Sequence, residues 1–404
     1  MGNRIEGCKM NIPKDQPEDH LKINEKTNRS NMDKKNYIKR TKNGNSFKYT
    51  YKDGRPVNDK EALEKISHIY IAPAYRNVKI YLNSDLLAVG IDTKGRKQYV
   101  YSEEFKKKRE KKKYCQLITL SGKIERLKTQ INRDLKQENY NLSKLIALVL
   151  KIMDLCNFRS GQRKMEKKYK SHGITTVHKN HIAITNNKVE IEFIGKKGVN
   201  NYCAIQDKPI QEILKKVYKL STKNDPYLFS IKNEKGEDVY VTIDDLNNYL
   251  RPFQVTTKDL RTWNANIIFL KNLFNVLEED EKEFTEMKNP TPQKELKLRK
   301  TVVRDAIIKT AVLLHNTPSV CRTSYIYKSI VKNFEEDPKY MNTILEMNHR
   351  NFNFENYLTK LLGESSNINH CTNKNKIKHK VMANKRIMGN LGNLMNKNNR
   401  KNTN

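Results

Sequence analysis

The sequence lacks any apolar stretch long enough to span a bilayer. Its longest, Leu145 to Phe158, is interrupted by Lys151 and Asp154 and falls short of the roughly 20 residues a spanning helix needs. Met1-Gly2 opens like a myristoylation signal, but Glu6 stands where Ser or Thr is wanted and no apolar signal core follows. The expectation is therefore a chain with no membrane partner, inside a cell. Cysteine is sparse: Cys8, Cys115, Cys156, Cys203, Cys321 and Cys371 are far apart with no C-x-x-C pair, which argues against a cysteine zinc site or a secreted disulfide framework and predicts reduced, mostly buried thiols. There is no G-x-x-x-x-G-K-[ST] phosphate loop and no carboxylate cluster of the two-metal kind. Neither a cofactor nor a metal ligand set is expected.

Acidic residues are also in short supply. Against 79 Lys and Arg there are 45 Asp and Glu, a formal net charge of +34, far more than solubility asks for and suited to a polyanion such as nucleic acid. With 404 residues and 36% hydrophobic content, two domains with ordinary cores are affordable in length and composition.

Residues 1–45 are rich in Lys, Asn and Asp with hardly an apolar cluster, which predicts a disordered basic arm. Short alternating runs follow at Phe47 to Tyr51, Val78 to Tyr81, Leu86 to Gly90 and Gln98 to Tyr101, with turns at Asp53-Gly54 and Lys94-Gly95; they predict a small β-rich domain over 46–105. Lys106 to Lys113 reads KKKREKKK, expected to be a basic linker over 106–115 that is solvated and can also touch phosphate. Residues 116–364 carry helical spacing at Leu120, Ile124, Leu127, Ile131 and Leu135, a second helix over Leu142 to Phe158, and helical patterns from about Ile210 to Leu362. Strand candidates interrupt them at Ile174 to Val177, Val189 to Ile194 and Asn201 to Ile205, with Gly195 to Gly198 as a hairpin tip. An acidic patch at Glu278 to Glu283, then Pro290 and Pro292, predicts a surface loop. No acidic residue follows Glu364, so 365–404 is read as a second disordered basic tail. The fold class is α+β: a β-rich N-terminal domain and a larger, mostly helical domain with a β-hairpin.

Breaking a phosphodiester without a metal requires cations on the non-bridging oxygens, an in-line oxygen nucleophile and a proton for the leaving 5′ oxygen. Arginine suits the first task because its charged fork grips phosphate through two donors; lysine suits the last. Three segments are over-specified for packing: Phe158-Arg159-Ser160-Gly161 at a helix end, Lys258 to Trp263 around the single Trp, and Leu314 to Tyr325. In the third, Thr317 is a plausible N-cap with Pro318 at the first helical position, putting Tyr325 about two turns into a helix. Taken singly, each segment reads more readily as packing or surface than as chemistry.

In combination and in this order, Lys94 to Tyr101, Phe193 to Lys196, Lys258 to Thr262 and Asn316 to Tyr325 resemble the signature segments of the poxvirus and bacterial type IB DNA topoisomerases. The resemblance runs from about Phe47 to about Leu362. It implies a C-shaped clamp on double-stranded DNA, a chain acting as a monomer, and relaxation of supercoils through a 3′-phosphotyrosyl intermediate without ATP. The active site it implies is Arg159, Lys196, Arg261, Asn316 and Tyr325, with Tyr325 as nucleophile and Lys196, in preference to its neighbour Lys197, as general acid. Poxvirus members carry His where bacterial members carry Asn; the nine-residue spacing to Tyr325 selects Asn316 over His315, and an amide there donates a hydrogen bond without titrating. Lys94, Arg96, Lys97, Gln98, Tyr99 and Tyr101 are the strip expected in the DNA groove, with Lys258 as a further backbone or relay contact. The Lys- and Asn-rich composition fits an AT-rich genome and, with the poxvirus-like segments, implies a large DNA virus and a location in the virion or at the viral replication site.

Two other readings compete. A tyrosine recombinase shares Arg, Lys, Arg and Tyr, but generally places His three residues before the second Arg, where this chain has Lys258. A non-catalytic basic DNA-binding protein would need the charge alone.

Overall fold

The computed structural model describes residues 37–186, 188–221, 226–232, 235–279, 291–345 and 352–364. The tail expected over 365–404, most of the arm expected before residue 46, and most of the acidic loop lie outside the described residues. The chain divides into two compact units between Lys113 and Tyr114.

The first unit is an antiparallel sheet of β1 (Ile38–Asn43), β2 (Ser46–Tyr51), β3 (Arg76–Ile80), β4 (Leu86–Ile91) and β5 (Lys97–Tyr101) in the order β2-β1-β3-β4-β5, with α1 (Lys60–Ser67) between β2 and β3. Four of these strands lie where alternation predicts them. β1 does not: it occupies part of the stretch read as a disordered arm. Its inward positions are Ile38 and Arg40, so the strand has almost no apolar signature. Arg40 is nevertheless buried, donating to the carbonyls of Ile71 and Ala72 at 2.8 Å each and lying 4.2 Å over the Phe47 ring. An arginine whose donors meet carbonyls and whose plane meets a ring can occupy a core position. Ile38, Val57, Ala62, Ile66, Val78, Ile80 and Ala88 complete that core.

The basic run expected as a linker over 106–115 forms part of a helix, α2 (Glu103–Ser121), and the boundary between the two units falls within it. Lysine and arginine are good helix formers, Ser102 Oγ accepts from the Phe105 amide at 3.1 Å, and Glu103 and Glu104 sit in the first turn, where negative charge favours the helix dipole. Its later part carries the buried Tyr114, Leu117, Ile118 and Leu120.

The second unit contains α3 (Ile124–Leu135), α4 (Leu142–Cys156), α5 (Arg163–Tyr169), the sheet β6 (Ile182–Ile184), β7 (Val189–Ile194) and β8 (Asn200–Ile205), then α6 (Lys208–Leu220) and a small hairpin β9 (Ser230–Lys232) and β10 (Asp238–Tyr240). After these come α7 (Ile243–Leu250), α8 (Thr257–Glu279), α9 (Pro292–Leu313), α10 (Pro318–Val320), α11 (Lys328–Glu336), α12 (Pro338–Leu345) and α13 (Phe354–Glu364). The strand expected at Ile174 to Val177 is instead a 3₁₀ turn over Ile174–Thr176; β6 is the third strand, pairing Ile182 with Ile191. β9 and β10 fall in a stretch read as helical, each too short to show a period of two.

α8 runs through the core with Trp263, Phe269, Leu270 and Leu273 fully buried. It carries two buried amides that bind neighbouring segments. Asn272 donates to Thr310 Oγ1 of α9 at 3.0 Å. Asn266 donates to the Tyr325 carbonyl at 3.1 Å and accepts from the Tyr327 amide at 2.9 Å. Among the described residues no helix is long and apolar enough to cross a membrane.

Candidate active site

Arg159 follows directly from how α4 ends. Asn141 caps its start by accepting from the Lys144 amide at 3.0 Å, and Asn157, at φ 54°, ends it in a left-handed turn. The buried Phe158 then fixes the exit direction and Arg159 emerges half-buried. Its backbone is held from the other side: Arg159 and Ser160 carbonyls accept from the Ile174 and Thr175 amides at 2.8 Å each. The two strands of this clasp touch at Gly161 and Gly173, where a Cβ on Gly173 would lie 2.6 Å from Gly161 Cα. Backbone cannot yield as a flexible side chain can. Gly173→Ala is therefore expected to displace the Arg159 loop, lowering stability by about 1–3 kcal/mol and relaxation activity by more than the stability loss explains; thermal melting and plasmid relaxation on the same preparation measure both.

Arg261 sits in the second turn of α8, whose start is fixed by Thr256 and Asp259: the Thr256 amide donates to Asp259 at 2.9 Å and its hydroxyl does so at 2.8 Å. The guanidinium is buried and donates to the carbonyls of Asn157 and Leu314, the residues two before Arg159 and two before Asn316. One side chain thereby joins the two loops that present the other candidates. Arg261 Nε has no partner among the described residues.

Asn316 lies just beyond α9. His315, at φ 49°, turns the chain, and the Asn316 amide returns to the Ala311 carbonyl at 2.9 Å. Arg159 donates to Asn316 Oδ1, which orients the amide so that its NH₂ is the outward group. That nitrogen is buried and unpaired among the described residues. His315 points elsewhere: its ring lies 5.5 Å from Phe158 and its Nε2 is 3.3 Å from the Cys156 carbonyl. Burial pushes its pKa down, as do Arg261 and Arg159, against the opposing effect of the Cys156 carbonyl.

Tyr325 ends a π-helical turn, Cys321–Tyr325, that follows the single turn α10. The sequence predicts an ordinary helix here; Thr317 does cap it, accepting from the Val320 amide at 3.4 Å, but the turn widens after Val320. Asn266 grips the backbone on either side of Ile326, and Tyr327 stacks on Tyr114 at 4.7 Å. The Tyr325 ring lies 5.1 Å from the Arg261 guanidinium carbon. Burial raises the phenol pKa, but the charges of Arg261 and Arg159 and hydrogen bonds from both outweigh it, leaving the group more acidic than an ordinary tyrosine.

The structure thus brings Arg159, Arg261, Asn316 and Tyr325 together. Lys196 is exposed at the β7–β8 tip. Gly198 at φ 75° and Lys197 at φ 67° close the tip. The hairpin is anchored to the Arg159 segment just before its tip: Phe193 packs edge-on against Phe158 at 4.8 Å. Lys258 is exposed in the first turn of α8. In the N-terminal unit, Lys94 and Lys97 are exposed, while Asp92 collects the neighbours between and beyond them. It accepts from the Arg96 amide at 2.9 Å, Arg96 Nε at 2.8 Å and Gln98 Nε2 at 2.8 Å, and these bonds, Arg96 first, hold its carboxyl well below the usual range. Tyr99 and Tyr101 stack at 6.5 Å, and Tyr101 on Phe105 at 4.7 Å. Asp92 and Asn266 are the residues that sequence reading missed. The signal for Asp92 was a carboxylate four residues before Arg96, across the Lys94-Gly95 turn; Asn266 gave none.

The expectation of reduced cysteines is overturned at Cys156 and Cys203, which form a disulfide; Cys115 is also disulfide-bonded, and Cys321 is a buried free thiol. The partners are 47 residues apart in sequence and meet only because β8 packs beside the end of α4. The bond joins the helix leading to Arg159 to the hairpin bearing Lys196. On the chain-entropy account a crosslink of this span contributes up to ~4 kcal/mol. Dithiothreitol is expected to lower the melting temperature of the native chain by more than that of Cys203→Ser, the difference being the share of the Cys156–Cys203 bond.

The catalytic-core model of eukaryotic DNA topoisomerase I matches residues 102–351, more than half of the chain, and the N-terminal domain of bacterial DNA topoisomerase IB matches residues 46–92. The chain belongs to the type IB DNA topoisomerase family. Its relatives are of the small viral kind. Acanthamoeba polyphaga mimivirus DNA topoisomerase 1B is 29% identical over 333 residues, covering 80% of this chain and 94% of that protein. Vaccinia virus (strain Copenhagen) DNA topoisomerase 1B is 25% identical over 298 residues, covering 70% and 88%. A solved XerH site-specific recombinase, bound to its palindromic difH substrate, overlaps with a TM-score of 0.26 at 15% identity over 46% of this chain and 51% of that one, too slight to bear on function. The protein is an enzyme acting on DNA, which it relaxes by strand cleavage and religation.

Proposed function

We propose that the two units close as a C-shaped clamp around duplex DNA and that Tyr325 Oη, its proton lost to water with the phenolate held by Arg261 and Arg159, attacks a phosphodiester in line. The new bond is a 3′-phosphotyrosine, the P–O5′ bond breaks, and Lys196 gives its proton to the departing 5′ oxygen. Arg159, Arg261 and Asn316 hold the non-bridging oxygens as charge builds on them. The phosphodiester energy is kept in the tyrosyl link, so the strand swivels and the 5′ hydroxyl reverses the step without ATP or a required metal. The enzyme acts as a monomer. The strip from Lys94 to Tyr101 meets the groove, with Lys94 and Lys97 on phosphates, and Lys258 contacts the backbone near the break. The viral relatives favour the virion or the viral replication site as its location.

The observation that supports these roles best is the pair of unused buried donors, Asn316 Nδ2 and Arg261 Nε, beside a phenol flanked by two guanidinium groups. A buried polar group left unpaired costs stability, and a phosphate oxygen is the ligand that satisfies donors of this kind. Supercoiled plasmid incubated in EDTA without ATP is expected to relax. A requirement for paired recombination sites would favour a recombinase, and no strand breakage would leave a binding protein. Lys196 has its own test. A 5′-bridging sulfur leaves without needing a proton, so Lys196→Ala, slowed about 10²–10⁴-fold on ordinary DNA, should recover on that substrate. Equal slowing on both would remove Lys196 as the acid.

A further inference from the structure

Glu166, His172 and His178 each offer a ligand atom, and the three atoms lie within 4.8 Å of one another. They come from different elements: Glu166 from α5, His172 from the loop after it, and His178 from the stretch after the 3₁₀ turn. No sequence motif announces them, and none belongs to the site described above. We propose that they bind one divalent transition-metal ion, of which zinc is the natural candidate, and that the ion staples together the segments presenting Arg159 and Lys196.

The chemistry of the set selects the ion. Two imidazole nitrogens and one carboxylate oxygen form a borderline donor set that suits zinc and disfavours magnesium or calcium, which call for oxygen throughout. Tetrahedral zinc with bonds of ~2.0–2.1 Å separates its ligands by ~3.3 Å. Glu166 Oε1 already lies 3.2 Å from His178 Nε2 and the atom His172 offers lies within 4.8 Å of both, so side-chain rotation closes the set, and a water takes the remaining position. All three side chains retain some exposure, between 13% and 24%.

The surroundings are those of supported ligands. Tyr227 donates to Glu166 Oε2 at 2.6 Å, which turns Oε1 toward the imidazoles. His172 Nδ1 lies 2.7 Å from the Thr176 carbonyl; a proton shared there leaves Nε2 with its lone pair, the second-sphere arrangement common among metal-bound histidines. His181 is a wall and not a ligand: its Nδ1 accepts from the His178 amide at 3.0 Å, and its ring lies 4.5 Å from that of His172. The nearby cation, Arg163, lies over Tyr227 and Tyr240 at 3.8 and 3.3 Å, stacked on ring faces.

The position gives the ion its consequence, and this part rests on the catalytic roles proposed above. The His172 amide donates to the Ile194 carbonyl at 2.9 Å, two residues before Lys196. Gly173, the next residue, is the one pressed against Gly161 in the Arg159 clasp. An ion bridging α5 to His172 and His178 fixes the loop on which both contacts depend. It touches no reacting atom, so relaxation in EDTA is expected to persist, with the loop then held by its backbone contacts alone.

The test is binding, measured apart from activity. The full chain, freed of metal with EDTA and exchanged into buffer, is titrated with Zn²⁺ by calorimetry and with Co²⁺ by visible absorption. One equivalent is expected to bind, Co²⁺ showing the intense d–d bands of four-coordination, and Zn²⁺ is expected to raise the melting temperature. Glu166→Gln keeps an acceptor for Tyr227 and His172→Phe keeps an aromatic ring; each should weaken binding at least about 10-fold and abolish the thermal shift. A native chain that binds no equivalent of either ion overturns the proposal without recourse to variants. So does unchanged binding in both variants, which would put the ion elsewhere. Loss of binding here with plasmid relaxation intact would leave the catalytic reading standing, whereas failed relaxation with binding intact would overturn that reading and spare the site.

Discussion

Tyr325→Phe is expected to abolish both covalent attachment to DNA and plasmid relaxation, a loss on the order of 10⁴-fold or more, while DNA binding and the melting temperature stay close to native. The expectation of an intact fold is structural. Tyr325 is positioned through its backbone, by the buried amide of Asn266, and through its neighbours Ile326 and Tyr327, both buried. Phenylalanine retains the ring and the backbone contacts and loses only the oxygen. A large loss of stability in this variant would mean that the hydroxyl is a structural group. Residual relaxation near the native rate would mean that another oxygen attacks. Among the 20 tyrosines in the chain, Tyr325 has the guanidinium groups of Arg261 and Arg159 beside its phenol.

Arg261→Ala is expected to have the second largest effect, about 10²–10³-fold on the cleavage rate from the lost contact to the phosphate, and more in addition. The guanidinium does three jobs at once. It lowers the phenol pKa, it ties the Asn157 and Leu314 carbonyls together, and its Nε remains available to a phosphate oxygen. Removal leaves two buried carbonyls unpaired, so stability should fall by about 2–4 kcal/mol. The pH dependence separates the electrostatic job from the structural one. With Tyr325 below its ordinary pKa in the native protein, single-turnover cleavage should climb with pH and reach its plateau below the usual tyrosine range. Without Arg261 the larger share of the depression is lost, the effect of Arg159 and burial remain, and the rising limb should move to higher pH. If the two profiles superimpose, Arg261 does not tune the phenol.

How much of this could be read in the sequence differs from residue to residue. The strands from Ser46 to Tyr101 follow from alternation and turn chemistry, because their inward positions are apolar. β1 was hidden because Arg40, solvated by carbonyls and the Phe47 ring, holds an inward position. The charge of the run from Lys106 marks it as solvated but does not show that it is helical, which follows from the helix propensity of Lys and Arg. At the site, the short segments around Arg159, Arg261 and Tyr325 were visible, yet what joins them was not. Arg261 bridges two carbonyls 104 and 53 residues away in sequence, and no local pattern encodes that. The Cys156–Cys203 bond, the Gly161–Gly173 contact and the Glu166, His172 and His178 cluster are likewise products of the fold. The choice between His315 and Asn316 rested on spacing and resemblance; in the structure the His315 ring turns to the Cys156 carbonyl, while Asn316 is held by Arg159.

Tyr325 is expected to become linked to a 3′ phosphate when the strand is cut. The direct measurement traps the cleaved state on a nicked duplex whose short 5′-hydroxyl fragment diffuses away, digests protein and DNA, and locates the adduct by mass spectrometry. A nucleotide joined through its 3′ phosphate to the peptide containing Tyr325 is the expected result. An adduct on another residue, or one joined through a 5′ phosphate, would contradict the account.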